Sequence, residues 1–210
     1  MDVRDSYDSA AEAYAQHLAS ELAQKPLDRH LLNRFAEETR GQGLVADLGC
    51  GPGHVARYLH DQGVNVLGID LSPEMVKCAT RLNPGLEFRV GDIRELSLPA
   101  ASLVGVVAFY SIVHFESGEL GAIMRQLRKV LATGGLALVS FHIGDHVIHV
   151  DDLFGAPVNL DFRFHSPSAV SEALRSADFA VIEHVEREPY ERGEYQSRRC
   201  YLLARAQRSA

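Results

Sequence analysis

The chain has 210 residues, 46% hydrophobic and 23% charged, proportions ordinary for a globular protein that buries one substantial core. A formal net charge of −7 argues against a surface built to attract a phosphate backbone. Cys50, Cys78 and Cys200 are odd in number and form no CxxC pair, so they offer neither a disulfide framework nor a thiolate zinc site and fit a reducing cytoplasm.

The opening residues, MDVRDSYDSAAEAY, are polar and acidic, unlike a secretory signal. Two helices are expected at the start, Ser9 to Lys25 and Leu27 to Thr39, separated by Pro26 and free to cover whatever lies above the first strand. From Gly41 the pattern changes to alternation. LVADLG (44–49) reads as a strand, HVARYLHD (54–61) as a helix and NVLGID (65–70) as a strand. SPEMVKCATRLN (72–83) reads as a helix with Ser72 as its N-cap and Pro73 at its first position.

LEFRVGD (86–92), LVGVVAFY (103–110) and GLALVSFH (135–142) continue as strands, with a helix at Gly118 to Leu131 before a Gly134–Gly135 turn. The apolar run Leu103 to Phe115 is too short to span a bilayer. A helix at Pro167 to Asp178 then leads into AVIEHVERE (180–188) and RRCYLLARA (198–206), an antiparallel hairpin closing the sheet. The expected fold is therefore α/β: a doubly wound, mostly parallel sheet of seven strands with a C-terminal antiparallel hairpin and covering helices at the N-terminus. No linker divides residues 1–210. Residues 1–40 read as a helical lid, and 143–165, with weak periodicity, as an irregular insertion on the substrate side.

The stretch DLGCGPGHVARYL (47–59) sets bare backbone at Gly49, Gly51 and Gly53 between a strand and a helix, an arrangement that suits an anionic group. A phosphate-gripping P-loop needs Lys followed by Ser or Thr, and His54, Val55 and Ala56 stand there instead. The dinucleotide spacing G-x-G-x-x-G is also not met. Asp47 ends a buried strand, where a carboxylate repels a phosphate and matches an ammonium group. Asp70 ends the second strand, where it can accept from ribose hydroxyls, and Asp92 ends the third, where it can accept from an adenine amino group. A ligand with an amino-acid end, a ribose and an adenine fits that row.

These segments resemble class I S-adenosylmethionine-dependent methyltransferases of the small-molecule type. VADLGCGPG resembles their first motif, GIDLSPEMV the acidic second, VGDIRELSLP the third and LRKVLATGGLALVSF the entry to the fifth strand. The resemblance is close over residues 40 to 142. It implies S-adenosylmethionine as cofactor and S-adenosylhomocysteine as product, a Rossmann-like sheet and a Rossmann-like site. Gly49, Gly51 and Gly53 would line the methionine part and Asp47 hold its amino group. Asp70 with the adjoining Leu71 would take the ribose, and Asp92 with Ile93 frame the adenine. Tyr110 and Ser111 would lie near the methionine end, and Tyr7 and Tyr14, on an N-terminal helix, would close over the site, where a ring can meet the sulfonium.

The acceptor side carries fewer signals. His114, in FYSIVHF, can take a proton from an acceptor or pack on an apolar face. FHIGDHVIHVDD gathers His142, His146, His149, Asp151 and Asp152; with Gly144 inside a segment leaving a strand, substrate lining by His146 and His149 is expected ahead of a metal, and no metal is assigned. Arg198, Arg199 and Tyr201 read as structural, although an Arg there can hold a carboxylate. The expected activity is methyl transfer to an oxygen or nitrogen of a small molecule, with no nucleic acid and no membrane as partner. A nucleic-acid methyltransferase and a non-catalytic cofactor-binding subunit are the alternatives.

Overall fold

A computed structural model describes residues 1–18, 20–191 and 193–208. Helices α1 (Val3–Leu18) and α2 (Pro26–Thr39) precede the alternating core: β1 (Leu44–Leu48), α3 (His54–Asp61), β2 (Asn65–Asp70), α4 (Pro73–Leu82), β3 (Glu87–Val90), β4 (Leu103–Phe109), α5 (Leu120–Val130) and β5 (Leu131–His142). Then come β6 (Val147–Leu153), β7 (Ala156–Arg163), α6 (Pro167–Ser176), β8 (Phe179–Arg187) and β9 (Arg199–Ala206). Seven strands form one sheet in the order β3-β2-β1-β4-β5-β9-β8. β1 to β5 pair in parallel, and β9 runs antiparallel to both β5 and β8. The expected fold class is borne out.

Local chemistry sets the helix starts. The Ser72 hydroxyl accepts from the Met75 amide at 3.0 Å with Pro73 next in line, and Ser166 repeats this ahead of Pro167, accepting from Ala169 at 3.2 Å. The strands send alternate side chains to opposite faces. Val106, Val139 and Leu202 join Ile123 and Leu127 of α5 and Leu174 of α6 on one face. Val107, Leu138 and Leu203 join Phe35 of α2 and Leu59 of α3 on the other. Gly105 makes room for this second core: a Cβ there would stand 2.6 Å from the Phe35 ring. Gly105→Ala is expected to cost about 1–3 kcal/mol of stability through overpacking. Adding Phe35→Leu should recover part of that loss in a denaturant titration. Equal stability of Gly105→Ala and the parent would show that the contact relaxes freely.

Four features differ from the sequence expectation. Helix α1 starts at Val3, six residues before Ser9, because tertiary bonds anchor its first turn: the Asn159 amide donates to the Ser6 hydroxyl at 3.0 Å, and Asn159 Nδ2 to the Met1 carbonyl at 2.8 Å. It ends at Leu18, a short 3-10 turn follows at Glu21–Gln24, and Pro26 opens α2 as its first residue. Strand β5 begins at Leu131 and runs through the two glycines, absorbing them in a register shift against β4. Residues 143–165 are largely ordered as the antiparallel pair β6–β7, turned by Phe154 and Gly155, both at positive φ. That turn geometry favours Asn-Gly or Asp-Gly, so Phe-Gly concealed it.

The sheet order reverses between β1 and β4. A crevice therefore opens beyond their carboxyl ends, the usual ligand position in an open α/β sheet. Helix α1 packs across α4 and the β6–β7 pair, above that crevice.

Candidate active site

A cavity of about 750 Å³ fills the crevice. One half is walled by the loop after β1 and by the ends of β2 and β3: Gly49, Gly51, Asp70, Leu71, Asp92 and Ile93. Gly49 has φ +68° and turns the chain so sharply that a Cβ would meet the Cβ of Ser111, after β4, at 2.4 Å. Bare backbone is required there. Tyr14 reaches over from α1, with its ring edge 3.6 Å from where a Cβ on Gly51 would lie. Gly53 is not in the cavity wall; it caps α3 and lies against Phe88 and Asn83.

The three acids have different settings. Asp70 is buried, with Oδ2 accepting from the Gly51 amide at 2.8 Å and Oδ1 from Ser72 at 2.9 Å. Burial pushes its carboxyl above the usual range, opposed by these backbone donors. Asp92, at the rim, is gripped by Arg94, whose Nη2 lies 2.7 Å from Oδ2; burial opposes ionisation, but the bonds from Arg94 prevail and lower its pKa. Asp47 stands behind the wall, 1% exposed, with Oδ2 unpartnered. Burial raises its pKa to about 7, against the opposing effects of His54 and the Ala56 amide.

A carboxyl raised in the folded state is protonated there while the unfolded chain has already ionised, so stability falls as pH rises from the ordinary carboxylate value toward 7. Unliganded protein should lose up to about 1.4 kcal/mol per pH unit over that window from this group. Asp47→Asn should flatten the profile measured by urea unfolding at pH 5, 6, 7 and 8. An unchanged profile in the variant would contradict the assignment.

The other half of the cavity lies between β4, β5, α1 and the β6–β7 pair. His114, in a 3-10 turn after β4, places Nδ1 at 2.9 Å from the Asp161 carbonyl and Nε2 at 2.8 Å from the Tyr7 hydroxyl. The carbonyl can only accept, so Nδ1 carries the proton and Nε2 accepts from Tyr7. Burial lowers the His114 pKa and raises that of Tyr7, so the pair is neutral. Tyr7 meets the Tyr14 ring edge-on at 5.8 Å, and Tyr14 lies 5.8 Å from Phe154.

His146 and His149 are outside the cavity wall. His146 stacks on Phe164 at 4.2 Å, and His149 pairs with Asp161 at 2.9 Å on the solvent side. The two-residue period of β6 turns Ile148 and Val150 inward and His149 outward. The His-rich stretch also does not converge: His142 bonds Ser197 at 2.7 Å.

A buried polar network runs along one side of the cavity, with Tyr110, Lys25, Glu194 and Arg199 in its wall, and its long-range pairings have no signature in the sequence. Tyr110 sits at φ +56°, and its hydroxyl lies 2.7 Å from that of Tyr201, which donates to Asp28 at 3.0 Å. Arg187 pairs with Asp28 at 3.2 Å and with Glu194 at 2.5 Å; Arg199, 2% exposed, shares Glu194 at 3.3 Å. Lys25 bonds Glu21, which also holds His54 at 3.2 Å. Arg198, beside Arg199, points outward to Glu186.

The fold and the glycine-loop site are similar to those of class I S-adenosylmethionine-dependent methyltransferases. Residues 45–135 match the family model described as a methyltransferase domain, and the chain carries that domain. It is 28% identical to a malonyl-[acyl-carrier protein] O-methyltransferase of Pseudescherichia vulneris, over 81% of this chain and 64% of that protein. It is 31% identical to a magnesium-protoporphyrin O-methyltransferase of Rhodobacter capsulatus, over 47% and 45% respectively. The chain spans between 46% and 66% of the length of the malonyl-[acyl-carrier protein] relatives it matches. In fold it is similar to a solved structure described as a [4+2]-cyclase, SpnF, with TM-score 0.76 and 18% identity, covering 98% of this chain and 95% of that one. A Mesorhizobium loti S-adenosylmethionine-dependent methyltransferase gives TM-score 0.66 and 22% identity, covering 84% and 96%. A cyclase on this fold illustrates why the chemistry has to be argued from the site. Among the described residues no helix is long and apolar enough to cross a membrane.

Proposed function

We propose that the chain transfers a methyl group from S-adenosylmethionine to an oxygen or nitrogen of a small-molecule acceptor. The observation that carries this reading is one cavity joining the glycine loop and Asp70 at one end to the neutral Tyr7–His114 pair at the other. The residues fit the cofactor. Gly49 and Gly51 leave room for the methionine part, Asp47 keeps an unpartnered buried oxygen behind the loop, and each Asp70 oxygen retains acceptor capacity beyond its backbone bond.

When bound, the cofactor supplies an electrophilic methyl group. In this reading the chain positions the acceptor, excludes water and holds a proton acceptor at His114 Nε2. Helix α1 and the β6–β7 pair serve as the cover, because both contribute to the cavity wall and to each other's packing. The chain's acidic charge favours a small acceptor over a nucleic acid. A turnover screen across hydroxyl, amine and carboxylate acceptors, detecting S-adenosylhomocysteine and the mass of the product, tests the proposal. A methylated small molecule is expected; binding of the cofactor with no turnover on any acceptor would favour a binding subunit instead.

A further inference from the structure

Beyond the cofactor half, the cavity wall is mostly carbon. Phe109 at the end of β4, Val150 and Leu153 of β6, Phe154 at the turn, Phe162 of β7 and Phe164 just past it form a chamber. Tyr7 and His114 set a neutral polar pair into this wall, with the His114 ring 5.1 Å from Phe162 and 5.4 Å from Tyr7, while Glu21, His142 and Glu194, also in the lining, are bonded to Lys25, Ser197 and Arg187. Lys25 and Arg199, the buried cations that also reach the cavity, are already committed to Glu21 and Glu194. Among the described residues, a carboxylate acceptor would give up its hydration without a free cation to replace it. A flat apolar ring would gain from every face of the chamber.

The base is weak as well as buried. From the ordinary imidazole value of ~6.5, taking a proton from a phenol at ~10 is uphill by roughly 3.5 powers of ten. From a water-like hydroxyl at ~15.7 the gap is roughly 9. Burial of His114 widens both. Only an acidic hydroxyl keeps the ionised acceptor populated enough to react.

Resting on the methyl-transfer reading above, we propose that the acceptor is a planar aromatic compound whose ring fills the carbon-walled chamber and whose phenolic hydroxyl is methylated beside the Tyr7–His114 pair. The acceptor proton passes to the Tyr7 oxygen as Tyr7 gives its own proton to His114 Nε2, so Tyr7 ends neutral and His114 ends as imidazolium held by the Asp161 carbonyl. The acceptor oxygen's electron pair forms the new O–C bond, the C–S bond breaks with its pair going to sulfur, and His114 later returns the proton to water.

The test titrates the chain with 2-naphthol, decahydro-2-naphthol and hexanoate, each with and without S-adenosylhomocysteine. 2-Naphthol should bind at least about tenfold more tightly than the other two, and Phe162→Ala should weaken it by about tenfold while S-adenosylhomocysteine affinity moves by less than about twofold. Equal or tighter binding of the saturated alcohol or the carboxylate overturns the proposal. Turnover of phenols of graded acidity by Tyr7→Phe adds a second readout. The loss should shrink steadily as the phenol becomes more acidic, and a uniform loss at every acidity would make Tyr7 a packing residue and defeat the relay. Selective naphthol binding by a protein that ignores S-adenosylhomocysteine would defeat the methyl-transfer reading alone. Cofactor binding without aromatic preference would defeat only this one.

Discussion

His114→Gln is expected to lower turnover on the true acceptor by about 10²- to 10⁴-fold, the range removed with a positioned general base. The substitution is chosen because the glutamine amide reaches the Nε2 position and keeps a neutral polar group facing Tyr7, while giving up the bond that His114 Nδ1 makes to the Asp161 carbonyl at 2.9 Å. What disappears is the basic lone pair at Nε2 that accepts from Tyr7 at 2.8 Å. S-adenosylhomocysteine affinity should stay within about threefold, since the glycine loop, Asp70 and Asp92 lie in the other half of the cavity. Measuring both quantities on one variant separates chemistry from folding. Unimpaired turnover would return His114 to a packing role, and parallel losses of stability and cofactor affinity would mark it as structural.

Asp70→Ala should act on the opposite quantity. Its carboxylate is 9% exposed at the end of β2, tied by single backbone bonds to Gly51 and Ser72. The remaining acceptor capacity on the two oxygens is what a ribose diol needs. Charge-assisted bonds of roughly 1.5–3 kcal/mol each make the pair worth about 10²-fold or more in affinity. Asp70→Asn, which keeps one acceptor oxygen, should fall between Ala and the parent. Calorimetric titration with S-adenosylhomocysteine, beside a thermal melt showing a folded variant, reads the effect. Unchanged affinity in folded Asp70→Ala would remove the ribose assignment.

How much of this was legible in the sequence follows the range of the signal. The glycine loop, Ser72–Pro73 and the acids closing β1, β2 and β3 are local patterns, and the sheet follows from strands that alternate with helices. The place of His149 outside the cavity wall has a signal in the sequence, since an alternating strand puts Ile148 and Val150 on one side and His149 on the other; His146 precedes β6 and stacks on Phe164, which no local pattern shows. The start of α1 was illegible for a physical reason. Its first turn is polar and gains its support from Asn159, more than 150 residues away. The Tyr7–His114 bond joins residues 107 positions apart, and the network of Asp28, Arg187, Glu194, Arg199 and Tyr201 joins α2 to the last hairpin. Pairings of that kind have no spacing to read; they exist only once the sheet brings the segments together.

The central claim is that the cavity takes an aminoacyl-adenosine ligand rather than a dinucleotide. Isothermal titration calorimetry of the purified chain with S-adenosylhomocysteine and, separately, NAD addresses it most directly. The account predicts saturable binding of S-adenosylhomocysteine at one site per chain and no comparable heat with NAD, whose pyrophosphate would meet the Asp70 carboxyl group at the end of β2. Tight NAD binding with no response to S-adenosylhomocysteine would contradict it.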